Sequence, residues 1–470
     1  MLMADPFPTL PRPQPARLAG RRVLVLGLGD TGLAVARWVA SEGGVPCVAD
    51  TREAPPRADE LRRALPGAQL RCGAFAPELL EGVDLLVPSP GLSLREPVVQ
   101  AAIARRIPLA GEIELFAWAL DSVDRAKVVA VTGTNGKTTV SALTGHLLRA
   151  AGMDCEIAGN IGPAALAALA ARIDAGRLPA VWVLELSSFQ LETTWSLAPD
   201  AAAMLNLSED HLDRYASLAD YGAAKQRIFA GAHLQVLNRD DARSLAMADP
   251  GRRRVSFGLG APEGDVEFGL ASANGAQWIA QGEHRLIAAG DLQIHGTHNA
   301  ANAMAAAALA GAVGAPLEAI RAGLRSFRGL PHRLERIMNI DGVDYFDDSK
   351  GTNVGATLAA LEGLGRRAVL ILGGEGKGQD FAPLASAVAR HAARVLLIGR
   401  DAPGIAAALA GAGVPLERCA TLEDAVRAAS RSARPGEAVL LSPACASFDM
   451  FRDYRHRGEV FVRAVKELAR

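Results

Sequence analysis

Short apolar, β-branched runs alternate with longer amphipathic stretches along nearly the whole chain. Unbroken or period-2 apolar runs bounded by turn residues read as strands, and 3.6-period stretches between them read as helices. The alternation predicts an α/β protein built on open, mainly parallel sheets. A first unit has strands expected over 22–27, 45–50 and 83–88, and a second over 127–132, 181–186, 201–206 and 234–238. Between residues 265 and 295 the segments shorten, and Asn274-Gly275 supplies a hairpin signal, so a small antiparallel patch is expected there. A third unit begins near Leu330-Pro331-His332-Arg333, with apolar strands over 368–372, 395–398 and 438–441.

The pattern divides the chain into four parts. Residues 1–20 are a Pro-rich tail, expected to be disordered, without the apolar core of a signal peptide. Residues 21–120 form a Rossmann-like N-terminal domain. Residues 121–330 form a central P-loop ATPase-like parallel-sheet domain carrying the antiparallel patch. Residues 331–470 form a Rossmann-like C-terminal domain. Length agrees, since single cores rarely grow past about 250–300 residues. The alanine-rich stretch 300–315 is interrupted by Asn302 and falls short of the roughly 18–20 strongly apolar residues of a membrane span, so a buried helix is expected.

Composition narrows the function. Hydrophobic residues make up 50% and charged residues 21%, with a formal net charge of −1. That balance suits a soluble globular protein and offers no global basic field for nucleic acid or anionic lipid. The five cysteines are scattered, without a C-x-x-C pair. Neither a disulfide framework nor a structural zinc site is expected, and a reducing cytoplasm is the expected setting.

The strongest chemical signal is Val128-Val129-Ala130-Val131-Thr132-Gly133-Thr134-Asn135-Gly136-Lys137-Thr138-Thr139. A strand runs into a small-residue turn, and a lysine and two threonines open the next helix. Backbone N–H groups, a helix N-terminus and an ammonium then surround one point, as a nucleotide's phosphates require. Thr138 falls where a phosphate-bound Mg²⁺ would sit. The common P-loop pattern has another glycine where this chain has Val131, so the loop is a shortened one.

Other polar clusters also fall at strand ends. Gly27-Leu28-Gly29-Asp30-Thr31-Gly32 with Asp50-Thr51-Arg52 fits a dinucleotide fingerprint, the acid placed to meet a ribose. NAD, another nucleotide, or plain strand–helix packing all fit it. Glu185 ends an apolar strand, where it either binds a ligand or serves as a capping carboxylate. Asn206-Leu207-Ser208-Glu209-Asp210-His211 sets an acid and a histidine beside the phosphate loop, a donor set suited to Mg²⁺. Lys225, on composition alone, reads as a solvated helix lysine. Asn299 and Asn302 either cap the alanine-rich helix or touch an adenine edge. Asp347-Asp348-Ser349-Lys350-Gly351-Thr352-Asn353, Gly373-Gly374-Glu375-Gly376-Lys377-Gly378 and Ser442-Pro443-Ala444-Cys445-Ala446-Ser447-Phe448-Asp449 suggest a grip for a small anion.

With these residues in view, the chain resembles the Mur ligase family of peptidoglycan synthesis from about Arg21 to its C-terminus. The loop from Gly133 to Thr138, His298-Asn299 with Asn302, Pro331-His332-Arg333 and Asp348-Ser349-Lys350 carry the likeness. Asp-Asp-Ser-Lys-Gly-Thr-Asn and Ser-Pro-Ala-Cys-Ala-Ser-Phe-Asp point to the branch that adds D-glutamate. The resemblance implies that ATP phosphorylates the carboxylate of UDP-N-acetylmuramoyl-L-alanine and that the amine of D-glutamate attacks the acyl phosphate.

It further implies that Gly133, Thr134, Asn135, Gly136, Lys137, Thr138, Thr139, Asn299, Asn302, Arg333, Asp348 and Lys350 bind ATP. Two Mg²⁺ ions are expected, one on Thr138 and Glu185, one on His211 and Lys225, the lysine as a carbamate. Lys137, Glu185, His211 and Lys225 would be catalytic. Asp30, Thr31, Thr51, Arg52 and Asn160 would hold the UDP-linked substrate, and Thr352, Lys377, Ser447, Phe448 and Tyr454 the D-glutamate. A monomer with small-molecule substrates alone is expected. A different Mur-type or folylpolyglutamate-type ligase, a nucleotide-driven switch and an NAD-linked oxidoreductase are the competing readings. The switch leaves the third-unit loops unexplained, and the oxidoreductase leaves the Lys137 loop without a task.

Overall fold

In the computed structural model, residues 10–13, 17–123, 126–211 and 214–469 are described. The expected disordered tail falls partly on residues 1–9 and 14–16, outside that set. Its described part is packed. Leu10 is 8% exposed and lies in an apolar cluster with Leu24, Leu26 and Leu86. The Pro11 carbonyl accepts from Leu109 N–H at 3.2 Å. Burying one leucine is worth about 1.5–3 kcal/mol, which holds the segment against the domain despite its prolines.

Strands β1 (Arg22–Leu26), β2 (Val45–Asp50), β3 (Gln69–Cys72) and β4 (Leu85–Pro88) form a parallel sheet in the order β3-β2-β1-β4. Strands β5 (Lys127–Thr132), β6 (Cys155–Gly159), β7 (Val181–Glu185), β8 (Ala201–Met204), β9 (Leu234–Asn238) and β10 (Arg253–Phe257) pair in parallel in the order β10-β9-β8-β5-β7-β6. Central β5 and β7 are covered on both faces, so their residues are apolar without alternation. Val129, Ala130, Val131, Val183 and Leu184 are fully buried.

Strands β11 (Phe268–Ala273), β12 (Ala276–Gln281) and β13 (His284–Ala288) make the expected antiparallel patch. Asn274 and Gly275 turn with φ of 53° and 75°, the type I′ geometry that the pair favours. The last sheet contains β14 (Glu335–Ile340), β15 (Val343–Asp347), β16 (Ala368–Gly373), β17 (Ala392–Ile398), β18 (Leu416–Arg418) and β19 (Ala438–Leu441). Its order is β14-β15-β19-β16-β17-β18, parallel except for the β14–β15 hairpin. The alanine-rich stretch is the helix Thr297–Ala312, with Ala303 to Ala307 fully buried. No described helix is long and apolar enough to cross a membrane.

Packing divides the three-sheet chain into two compact units. One holds Met1–Leu207, Arg214–Phe257 and Ala305–Ala322, and the other Ser208–Asp213, Gly258–Met304 and Gly323–Arg470.

Candidate active site

The phosphate loop is built where β5 stops. Val131 is still strand, paired with Glu185 on β7 and Ala203 on β8, and fully buried. That register accounts for the missing glycine, because the turn starts only at Gly133. Gly136 then enters the helix Lys137–Ala150 at φ 85°, a left-handed conformation that disfavours any residue with a Cβ. Gly136, at the N-cap, has no side chain with which to cap this helix start, whose positive dipole end favours an anion. Asn206 clamps the turn: its Oδ1 accepts from Asn135 N–H at 2.8 Å, its Nδ2 donates to the Asn135 carbonyl at 3.1 Å, and its own carbonyl accepts from Thr134 N–H at 2.9 Å.

Two lysines converge on this turn. Lys137 Nζ donates to the carbonyls of Gly133 at 2.8 Å and Thr134 at 2.9 Å. Lys225 Nζ donates to the same Gly133 carbonyl at 2.8 Å and approaches Thr132 Oγ1 at 3.4 Å. Far from being a solvated helix lysine, Lys225 is 1% exposed, its ammonium 4.7 Å from the centre of the Tyr221 ring. Its burial comes from tertiary packing of Leu218–Gln226, which helical periodicity did not reveal.

Glu185 ends β7 beside the turn and is 2% exposed. One carboxylate oxygen accepts from Asn160 Nδ2 at 2.7 Å, and Oε2 is buried with no hydrogen-bond partner. A buried carboxylate oxygen left in that state costs free energy unless a cation or donor meets it. With the Thr138 hydroxyl on the first turn of the facing helix, the donor set fits a hard divalent cation such as Mg²⁺. His211, with φ 55°, lies in the other compact unit, its backbone N–H donating to Asp210 Oδ1 at 3.0 Å.

Asn160 also lines a cleft of about 970 Å³ together with Asp30, Thr31, Arg37 and Gly162. Thr51 and Arg52 are exposed but are not on its walls. The acid expected to meet a ribose is engaged otherwise. Asp50 is 2% exposed; Oδ2 accepts from Leu28 N–H at 2.7 Å and Arg52 Nη2 at 2.6 Å, and Oδ1 from Arg52 N–H at 2.9 Å and Nε at 2.8 Å. Both oxygens are saturated from within the chain. The Arg52 hydrogen bonds hold the Asp50 carboxyl down at about 2. Asp50 therefore shapes the glycine turn, and Asp30 and Thr31 are the fingerprint residues facing the cleft.

In the second unit, hydrogen bonds knit the three polar loops together. Ser442 Oγ donates to Asp348 Oδ2 at 2.7 Å, Ala444 N–H to the Gly351 carbonyl at 2.9 Å, and Glu375 and Ala446 exchange both backbone bonds at 2.9 Å. A Cβ on Gly374 would lie 2.2 Å from the Ala446 carbonyl oxygen, so only glycine permits that approach. Burial raises the Asp348 carboxyl to about 7, against the Ser442 hydrogen bond. Lys350 Nζ stands 4.1 Å above the Tyr454 ring. Ser447 is buried, Lys377 exposed, and Phe448 67% exposed, while Thr352 N–H donates to the Lys350 carbonyl at 2.8 Å. Asn299 and Asn302 form a buried pair: Asn302 Nδ2 donates to Asn299 Oδ1 at 3.0 Å, and Asn299 Nδ2 to the His295 carbonyl at 2.7 Å. Beside Arg333, His332 Nδ1 meets Asp347 Oδ2 at 2.7 Å, a contact that raises the imidazole's proton affinity.

The sequence reading missed Arg457, the fully buried cation beneath these loops. A signal for it exists. Arg457 lies seven residues before Ala464 on the stripe of Val460, Phe461, Ala464 and Val465, where an apolar residue belongs.

Comparison with known proteins covers nearly the whole chain. Residues 21–111 match the Mur ligase MurD-like N-terminal domain, 131–310 the Mur ligase middle domain, and 332–445 the Mur ligase glutamate ligase domain. UDP-N-acetylmuramoylalanine–D-glutamate ligase of Thiobacillus denitrificans is 56% identical over 467 residues, covering 96% of this chain and 98% of that one. The protein of the same name from Nitrosomonas europaea is 50% identical over 457 residues, covering 96% and 97%. Among solved structures, UDP-N-acetylmuramate-alanine ligase MurC from Thermotoga maritima aligns with a TM-score of 0.59 at 20% identity, covering 95% of this chain and 99% of that chain. MurF from Acinetobacter baumannii aligns with a TM-score of 0.60 at 18% identity, covering 97% and 92%. At these identities the structural likeness concerns the fold.

Proposed function

The chain belongs to the Mur ligase family, and on that premise we propose that it is an ATP-dependent amide ligase joining D-glutamate to UDP-N-acetylmuramoyl-L-alanine in cytoplasmic peptidoglycan precursor synthesis. The observation that carries the catalytic part is the convergence of Lys137 and Lys225 on the Gly133 carbonyl beside a buried carboxylate with one unsatisfied oxygen. The high identity to D-glutamate ligases carries the substrates.

The substrate alanine carboxylate attacks the γ-phosphorus of ATP, and ADP leaves. The loop N–H groups and the Lys137 ammonium hold the β- and γ-phosphates and offset the charge spreading over their oxygens. The D-glutamate nitrogen then attacks the acyl carbon, phosphate leaves, and the amine gives up a proton as the amide forms. Asn160, on the cleft wall and bonded to Glu185, links the UDP-substrate site to the phosphate site, with Asp30, Thr31, Thr51 and Arg52 toward the uridine diphosphate end.

Thr138 and Glu185 would hold one Mg²⁺, and Lys225 as a carbamate would offer a ligand to a second. Mg²⁺ there neutralises phosphate charge and orients the transferred group. Lys225 fits a carbamate on electrostatic grounds. Two ammonium groups that meet at one carbonyl oxygen repel each other. Carbamylation replaces that second cation with an anionic oxygen donor. Asn299, Asn302, Arg333, Asp348 and Lys350 approach ATP, and Thr352, Lys377, Ser447, Phe448 and Tyr454 surround D-glutamate, Lys377 pairing with a carboxylate.

Mass spectrometry of a reaction containing ATP, Mg²⁺, UDP-N-acetylmuramoyl-L-alanine and D-glutamate tests this reading. The UDP-substrate should gain one glutamyl residue as ATP becomes ADP. ATP turnover without that adduct would count against it.

A further inference from the structure

Arg457 sits on the first turn of the terminal helix Tyr454–Leu468, with its guanidinium fully buried. Nε donates to Ser349 Oγ at 2.9 Å, Nη2 to the Ser349 carbonyl at 2.7 Å, and Nη1 to the Cys445 carbonyl at 3.1 Å. The Ser349 hydroxyl passes its own proton on to the Tyr454 carbonyl at 2.8 Å. No carboxylate of the described residues forms an ion pair with it. The negative field of Asp347, Asp348 and Asp449 favours the cation, while burial pulls its proton affinity down to about 10. A buried charge satisfied by two carbonyls and a hydroxyl is an expensive arrangement where packing alone would be served by a leucine.

The three segments it touches decide what the arrangement does. Ser349 lies between Asp348 and Lys350, Cys445 lies two residues before Ser447, and Tyr454 opens the helix on which Arg457 sits. We infer that Arg457 is a positioning residue whose planar fork holds the 347–352 loop in register with the 442–449 loop, so that the nucleotide and the incoming amino acid are presented together. This rests on the substrate assignment proposed above. Lysine cannot replace the fork, because a single ammonium has no fixed pair of parallel donors.

The test is steady-state kinetics of Arg457→Lys and, as a milder variant, Ser349→Ala, each with all three substrates varied in turn. For a folded Arg457→Lys enzyme, KM for D-glutamate and for ATP should rise by about tenfold or more, and KM for the UDP-linked substrate should stay within about twofold. Ser349→Ala should move the same two constants by a smaller factor, and it decides the matter if Arg457→Lys does not fold. Unchanged KM values for D-glutamate and ATP, or a fall in kcat alone, would overturn the inference, since a merely structural role lowers the active fraction without sorting the substrates. A wild-type enzyme that does not consume D-glutamate would instead overturn the substrate assignment itself.

Discussion

Asn160 donates its side-chain amide to one oxygen of Glu185 across 2.7 Å and leaves the other oxygen of that carboxylate buried without a partner. One residue thereby both lines the cleft of Asp30 and Thr31 and holds the carboxylate at the end of β7. Glu185→Gln keeps the shape and the Asn160 contact but removes the anionic donor. Titration of activity with Mg²⁺ should show the half-saturating concentration rising by about tenfold or more, whereas Asn160→Ala should give a smaller shift and also a higher KM for the UDP-linked substrate.

Lys225→Ala should abolish most activity, on the order of a hundredfold or more, if the residue supplies an oxygen ligand as a carbamate. A small carboxylate or excess chloride in the assay should then partly restore turnover. Absence of any rescue would argue that the ammonium seen at the Gly133 carbonyl is the working form.

The Glu112 carboxylate is fully buried at the start of the helix Glu112–Val123, and its Oε1 accepts from Leu166 N–H at 2.6 Å. Burial raises its pKa to about 7 from 4.5. The folded state therefore favours the protonated form: this contribution is full below about 4.5 and is lost as pH rises through about 7. Glu112→Gln keeps an acceptor for Leu166 and removes the titration. Urea unfolding should show the variant's stability falling less than the wild type's between pH 5 and 8, by on the order of 1–3 kcal/mol.

Asp50 has the opposite sign. Its lowered pKa stabilises the fold above about 3.8, and that contribution disappears as pH falls toward about 2. Asp50→Asn should cost on the order of 1–2 kcal/mol at pH 7, discounted because Arg52 is half exposed, and clearly less at pH 2. Denaturation at both pH values measures this. Releasing the Leu28 N–H should also raise KM for the UDP-linked substrate.

Sequence patterning located the interior of each sheet and the buried edge strand β4, and lost the margins that carry charge. Strands β1, β5, β7, β16 and β19 are buried on both faces and read as continuous apolar runs. By contrast, the sheet-edge strands β3, β6 and β18, which periodicity did not reveal, carry charged residues such as Arg71, Glu156 and Glu417. An edge strand's polar side chains erase the alternation on which the reading depends. The phosphate loop was legible because its chemistry is local, from Gly133 to Thr138. Asn206 as its clamp and the burial of Lys225 arise from contacts between segments far apart in the chain, and no spacing rule encodes them. The saturation of Asp50 comes mainly from Arg52, two residues on, with the Leu28 N–H adding a fourth bond.

The most direct test of the account is phosphate release from ATP in the presence of UDP-N-acetylmuramoyl-L-alanine and a panel of amino acids. Release should depend on both the UDP-linked substrate and D-glutamate. Equal release with L-glutamate, or with L-alanine and UDP-N-acetylmuramate lacking its alanine, would contradict it.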